Sequence, residues 1–194
     1  MAKVPIEISA RHMHLSQNDL EALFGEGYRL EVHKKLSQAD EFASKDKVTI
    51  RGASEEPIEG VRVVGPVREK TQVEVSHTEA RLLGTKVPLR ISGDLESSAP
   101  VKIIGPNGEV DLVEGMIVAK RHIHLSLHDS EKLGIQDGQD VSVKIGGKRG
   151  LVFDNIEARV SEGYKKSVHL DTDEGNAAGI SGRSEGKIVI GSNR

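Results

Sequence analysis

The sequence predicts a mainly β protein made of two small β-barrel domains with short capping α-helices, related by internal duplication. Three observations lead there. Short segments rich in Val and Ile, many alternating apolar with polar residues, fill most of the chain. Helical signals are few and brief. The block Arg11-His12-Met13-His14-Leu15-Ser16 returns as Arg121-His122-Ile123-His124-Leu125-Ser126, changed only from Met to Ile. Many short strands at this spacing favour small barrels over a helical or doubly wound fold.

The first strand begins at about Val4 and leads into the first histidine block. On an extended strand, residues i and i+2 share a face. Each His-x-His therefore presents two imidazoles side by side, with Met13 or Ile123 turned toward a core. Each block runs into a helix start, Ser16-x-x-Asp19 or Ser126-x-x-Asp129. Both are capping-box-like with Asp in the place of Glu, and each helix stops at a glycine, Gly25 or Gly134. After the first of these, strands are expected over 47–51, 58–64 and 71–76. The last switches to a helix over 77–83, ended by Gly84. Strands over 87–92 and 101–104 follow, then a hairpin turn at Gly105-Pro106-Asn107-Gly108 and strands over 109–113 and 115–120. Beyond the second block come strands over 141–145 and 151–160, joined at Gly146-Gly147-Lys148, and then strands over 167–170 and 187–190. Two similar units imply two related barrels with a site where they meet.

Composition excludes several classes of function. Among 194 residues, 29% are charged and the formal net charge is −3, so no basic excess points to nucleic acid or an anionic membrane. Aromatics make up 3% and Trp is absent, so base-stacking platforms are not expected. No apolar run reaches membrane-span length. Cysteine is absent, which removes disulfides, thiolate zinc sites and a cysteine nucleophile. No glycine-rich stretch matches a nucleotide loop. A cytoplasmic protein is expected.

Histidine occurs eight times, and four of the eight sit in the two repeated blocks. Adjacent neutral imidazoles make a chelating pair, and two pairs suggest one or two metal ions. With nitrogen and oxygen donors only, zinc is expected first, with cobalt, iron or manganese as alternatives. Four histidines under-fill two ions. His169 in Val168-His169-Leu170-Asp171 is a further candidate, and a hydrogen-bonded core histidine is the other reading. Asp171 could orient that imidazole or, with Asp173, cap a helix beginning near Glu174. Glu74 lies between Val73 and Val75; if the valines face the core, it faces outward, where solvation is the usual fate. Arg68, beside the Gly65-Pro66 turn, could grip an oxyanion or simply form a surface ion pair. Arg90 is a weaker candidate for substrate binding. His33, His77 and His128 read as surface or structural residues.

The paired Arg-His-x-His-Leu blocks resemble the PduL-type phosphotransacylases, the phosphate propanoyltransferases. So do Gly-Pro-x-Arg with Lys-Thr-Gln-Val-Glu-Val, Arg-x-Ser-Gly-Asp, and His-x-Asp-Thr-Asp-Glu-x-Asn-Ala-Ala, in family order from about Val4 to Ile190. The resemblance implies reversible acyl transfer between coenzyme A and phosphate at a two-zinc site, and a homodimer. It implies that the first strand crosses to the C-terminal barrel, giving domains 1–11 with 119–194, and 12–118. His12, His14, Glu74, His122, His124 and His169 match the family's metal ligands, and Arg68 its phosphate-binding arginine. Family members packed in bacterial microcompartments often carry an N-terminal amphipathic extension. With the first strand beginning near Val4, a free cytoplasmic enzyme is expected. The competing reading is a zinc-dependent hydrolase of a thioester or phosphoester, since open zinc sites activate water. A non-catalytic metal-stabilised scaffold would need closed, four-ligand sites.

Overall fold

The structure is a computed structural model that describes every residue except 1, 39 and 190–194. Its elements in chain order are β1 (Lys3–Ser9), β2 (His12–His14), α1 (Gln17–Phe24), β3 (Val32–Lys35), β4 (Phe42–Arg51), β5 (Ile58–Gly65), β6 (Gln72–Glu74), α2 (His77–Leu82) and β7 (Leu89–Arg90). There follow β8 (Ala99–Ile104), β9 (Glu109–Ala119), β10 (His122–Leu125), α3 (Leu127–Leu133), β11 (Asp140–Ile145), β12 (Leu151–Val160), β13 (Ser167–Asp171), α4 (Thr172–Ala178) and β14 (Ser184–Val189). The chain divides into two compact units, Ala10–Ala119, and Met1–Ser9 with Lys120–Arg194.

Each unit is built on a closed ring of six strands. In the Ala10–Ala119 unit the ring runs β4-β5-β2-β6-β9-β8, with β3 and β7 added outside it. In the other unit it runs β11-β12-β10-β13-β1-β14. The two rings have one topology. Each His-x-His strand is parallel to one neighbour (β5 or β12) and antiparallel to the other (β6 or β13). The latter is parallel to a closing strand, β9 or β1. Every remaining pairing in both rings is antiparallel. The closing strands are exchanged: β1 precedes the first histidine block yet closes the second ring, and β9 precedes the second block yet closes the first. The crossing of the first strand is therefore half of a reciprocal swap.

Alternation in the histidine strands seats the intervening residues as expected. Met13 and Leu15 are fully buried in one core, Ile123 and Leu125 in the other. Truncating Ile123 to Ala should destabilise its barrel by about 2–5 kcal/mol, read as a lower urea midpoint, because a rigid core leaves a cavity. The helix starts are also as read. Ser16 and Ser126 accept from the backbone N–H of Asp19 and Asp129, and the helices end at Gly25 and Gly134, both with positive φ. Asp171 is the N-cap of α4, which begins at Thr172, two residues before the start expected near Glu174.

The structure departs from the sequence reading at several places. The segments 109–113 and 115–120 form one strand, β9. Against β8 it spends four steps, Leu112 to Met116, where β8 spends two, Val101 to Ala99. The interruption at Glu114 is thus a bulge, not a break. Only Leu89–Arg90 of 87–92 is strand, paired with the end of β9. The 71–76 segment shortens to β6 because Ser76 leaves it to cap α2. Strand β3 carried no signal: Val-His-Lys-Lys lacks alternation, and all four residues are exposed on a sheet edge. Ile190, in the last expected strand, lies outside the described residues. Among the described residues, no helix is long and apolar enough to cross a membrane.

Candidate metal centres

Strand pairing assembles two triads. In the Ala10–Ala119 unit, antiparallel pairing of β2 with β6 sets His12 directly opposite Glu74. In the other unit, β10 against β13 sets His122 directly opposite His169. His14 and His124 follow two residues on, on the same face. The donor atoms of His12, His14 and Glu74 lie within 4.8 Å of one another, and so do those of His122, His124 and His169. The registers make Glu74 and His169 the same position of the duplicated fold.

The local environment orients the imidazoles. His12 Nδ1 lies 2.9 Å from the carbonyl of Ala10, and His122 Nδ1 2.9 Å from that of Lys120. A ring N–H given to a backbone carbonyl fixes the tautomer and turns Nε2 outward as a lone-pair donor. His12 Nε2 is 3.6 Å from the Glu74 carboxylate. His14 Nδ1 is 3.1 Å from the carbonyl of Val64. Burial lowers the His14 pKa to about 3, with the nearby His12 and Arg68 charges acting the same way. Burial likewise lowers His124 to about 2, helped by His169 and His122. His124 Nδ1 is the one buried side-chain nitrogen or oxygen without a hydrogen-bond partner among the described residues. An orphaned buried nitrogen, five imidazoles and one carboxylate suit a divalent cation. Among the described residues each cluster has three protein donors, one fewer than a closed structural site.

Comparison with known proteins gives the family. A profile described as phosphate propanoyltransferase matches residues 5–181. The chain belongs to the phosphate propanoyltransferase family. A Lachnoclostridium phytofermentans protein named phosphate propanoyltransferase is 48% identical over 177 residues, 91% of this chain and 83% of its own. Proteins of the same name from Clostridioides difficile and Thermotoga maritima are 46% and 49% identical. These alignments cover 97% and 89% of this chain, and 90% and 82% of theirs.

Within this phosphate propanoyltransferase family member, Glu74 differs from the outward-facing, solvated carboxylate that its flanking valines suggested. It is only 8% exposed. All of Gln72, Val73 and Glu74 are buried, because both faces of this short strand are covered. Arg68 is pinned by its backbone N–H to the Leu15 carbonyl at 2.9 Å, just past the first histidine pair. Its guanidinium pairs with Glu41 at 3.1 Å. Arg90 is tied to its own loop, with Nε donating to the Glu96 carbonyl at 3.2 Å and Asp94 3.8 Å away. His33, His77 and His128 are exposed.

Several neighbours of the triads carried no repeat signal. Ser92 donates to Glu74 Oε1 at 2.7 Å, and Gln72 Nε2 donates to the same oxygen at 2.6 Å. The backbone N–H of Gly93 in turn donates to Gln72 Oε1. Ser92 and Gly93 belong to the Arg-x-Ser-Gly-Asp motif, which marks them in the sequence. In the second triad, Ser167 Oγ is 3.0 Å from His169 Nε2, Glu7 lies 3.7 Å from that nitrogen, and the Tyr164 ring packs 4.2 Å from His124.

Proposed function

We propose that this chain catalyses reversible transfer of a short acyl group between coenzyme A and inorganic phosphate: acyl-CoA plus phosphate gives acyl phosphate plus coenzyme A. The observation that carries the reading is the pair of three-donor clusters in a chain whose family match spans residues 5–181. His12, His14 and Glu74 would hold one divalent ion and His122, His124 and His169 a second, with zinc the expected metal. Such ions would supply Lewis acidity at the thioester carbonyl and charge compensation for a leaving thiolate.

The chain's own residues do the rest. Arg68 binds and orients phosphate through its planar fork. A phosphate oxygen attacks the thioester carbonyl, and the carbon–sulfur bond breaks with its electron pair left on the sulfur of coenzyme A. The chain has no cysteine for a thioester intermediate, which agrees with direct transfer. Arg90 serves as a peripheral substrate contact. We place the enzyme in the cytoplasm as a homodimer, the latter checked by light scattering on a sizing column.

The test is thiol release from acetyl-CoA and propanoyl-CoA, with and without phosphate, before and after chelation. Release that needs phosphate, stops on chelation and returns with zinc is the expected result. Equal release without phosphate would show a hydrolase instead.

A further inference from the structure

We propose that Arg11 and Arg121 are positioning residues that lock the two ligand strands of each cluster together, acting through Glu79 and Glu174. The inference rests on the metal reading above. Each arginine immediately precedes the first ligand of its triad, His12 or His122. Each third ligand, Glu74 or His169, stands two residues before a helix N-cap, Ser76 or Asp171. The arginine reaches from the first strand to the helix that follows the second. Arg11 Nη1 donates to Glu79 Oε1 at 2.8 Å, and Arg121 Nη1 to Glu174 Oε1 at 2.9 Å. The other oxygen of each glutamate accepts the backbone N–H of the N-cap, Ser76 at 2.9 Å or Asp171 at 3.0 Å. A closed circuit results: ligand, arginine, glutamate, cap backbone, ligand.

Three features set this circuit apart from an ordinary surface ion pair, which contributes little. The glutamate side chains are 10% and 20% exposed, against 40% and 28% for their arginines, so the carboxylate end of each pair is shielded from water. A capping box is complete without an arginine, so the ion pair is an addition to it. The circuit recurs in both units although the residues around it differ: the third ligand is Glu in one and His in the other, and the N-cap is Ser in one and Asp in the other. What is common is the register, which sets the third ligand directly opposite the first. Arg121 is further braced by its Nε donating to the Asp154 carbonyl at 2.8 Å and by the Phe153 ring below it.

The experiment is zinc titration of the metal-stripped full chain against a chelating dye, with melting of the stripped protein in parallel. Glu79→Gln and Glu174→Gln are the main variants, because Gln still fills a capping box while the ion pair is lost; Arg11→Gln and Arg121→Gln accompany them. Each substitution should weaken one of two zinc sites about 10–100-fold and leave the other unchanged. The double variant Arg11→Gln/Glu79→Gln should be no weaker than either single one. In a His124→Ala background, where only the first cluster loads, Glu79→Gln should still weaken binding and Glu174→Gln should not. Unchanged zinc affinity with a lowered melting temperature would overturn the proposal and leave a purely structural ion pair. A wild-type chain that takes up no zinc would instead defeat the metal reading, and this inference with it.

Discussion

Arg68→Ala is expected to slow phosphate-dependent release of coenzyme A by about 10²–10³-fold, the usual cost of losing one contact that stabilises developing negative charge. Zinc content should be unchanged. The backbone of Arg68 is held at the end of β2 by the Leu15 carbonyl, so truncating the side chain leaves the loop anchored. Its charge depresses the His14 pKa, which places the guanidinium's field on the first triad. Phosphate is a doubly charged, heavily hydrated nucleophile, and a rigid fork of N–H donors both attracts and orients it. Glu41→Gln is the control: it removes the resting partner of Arg68 and should leave the rate near normal. Arg68→Lys should recover part of the loss, since charge returns without the fork. Near-normal turnover by Arg68→Ala would remove Arg68 from the reaction.

The second large effect is acid sensitivity of the metal-stripped protein. His14 and His124 are held neutral in the folded chain, with pKa values of about 3 and about 2. In the unfolded chain each titrates near 6.5. Between those limits the unfolded state binds protons that the native state refuses, so stability falls as pH falls. Each histidine contributes a slope of about 1.4 kcal/mol per pH unit below about pH 6. The two residues belong to different units, so each barrel should lose stability in its own transition. Urea midpoints at pH 6.5 and 4.5 measure this, and His14→Phe should flatten the slope of the Ala10–Ala119 unit. Zinc should protect at pH 6.5 and be lost on acidification, because protons and metal compete for the same lone pairs. A stripped protein equally stable at both pH values would contradict the buried neutral state.

What could be read from the residues was what lies within one strand or one turn. His12 and His14 had to share a face, Met13 had to face a core, and Ser16 had to start a helix, because these follow from backbone period and local hydrogen bonding. The third position of each triad needs a pairing across the sheet. Nothing local sets Glu74 opposite His12, and the equivalence of Glu74 with His169 is hidden because duplication kept the place and changed the residue. Flanking valines suggested an outward Glu74 only on the assumption that one face of the strand meets solvent. Resemblance to a family supplied what local rules lacked there. The Arg11–Glu79 and Arg121–Glu174 links were equally invisible, although both arginines lay inside the repeated block, because their partners come from distant helices.

The exchange of β1 and β9 has a consequence for synthesis on the ribosome. All strands of the Ala10–Ala119 unit emerge before residue 120, so that barrel can close early. The first strand emerges before any of them, but its partners are β13 and β14, near the far end of the chain. At about 5–20 residues per second it waits on the order of ten seconds or more with both edges open. Its sequence suits the wait. Pro5 withholds a backbone donor, and Lys3 and Glu7 set charges among the apolar residues, which discourages stray strand pairing until β13 and β14 arrive.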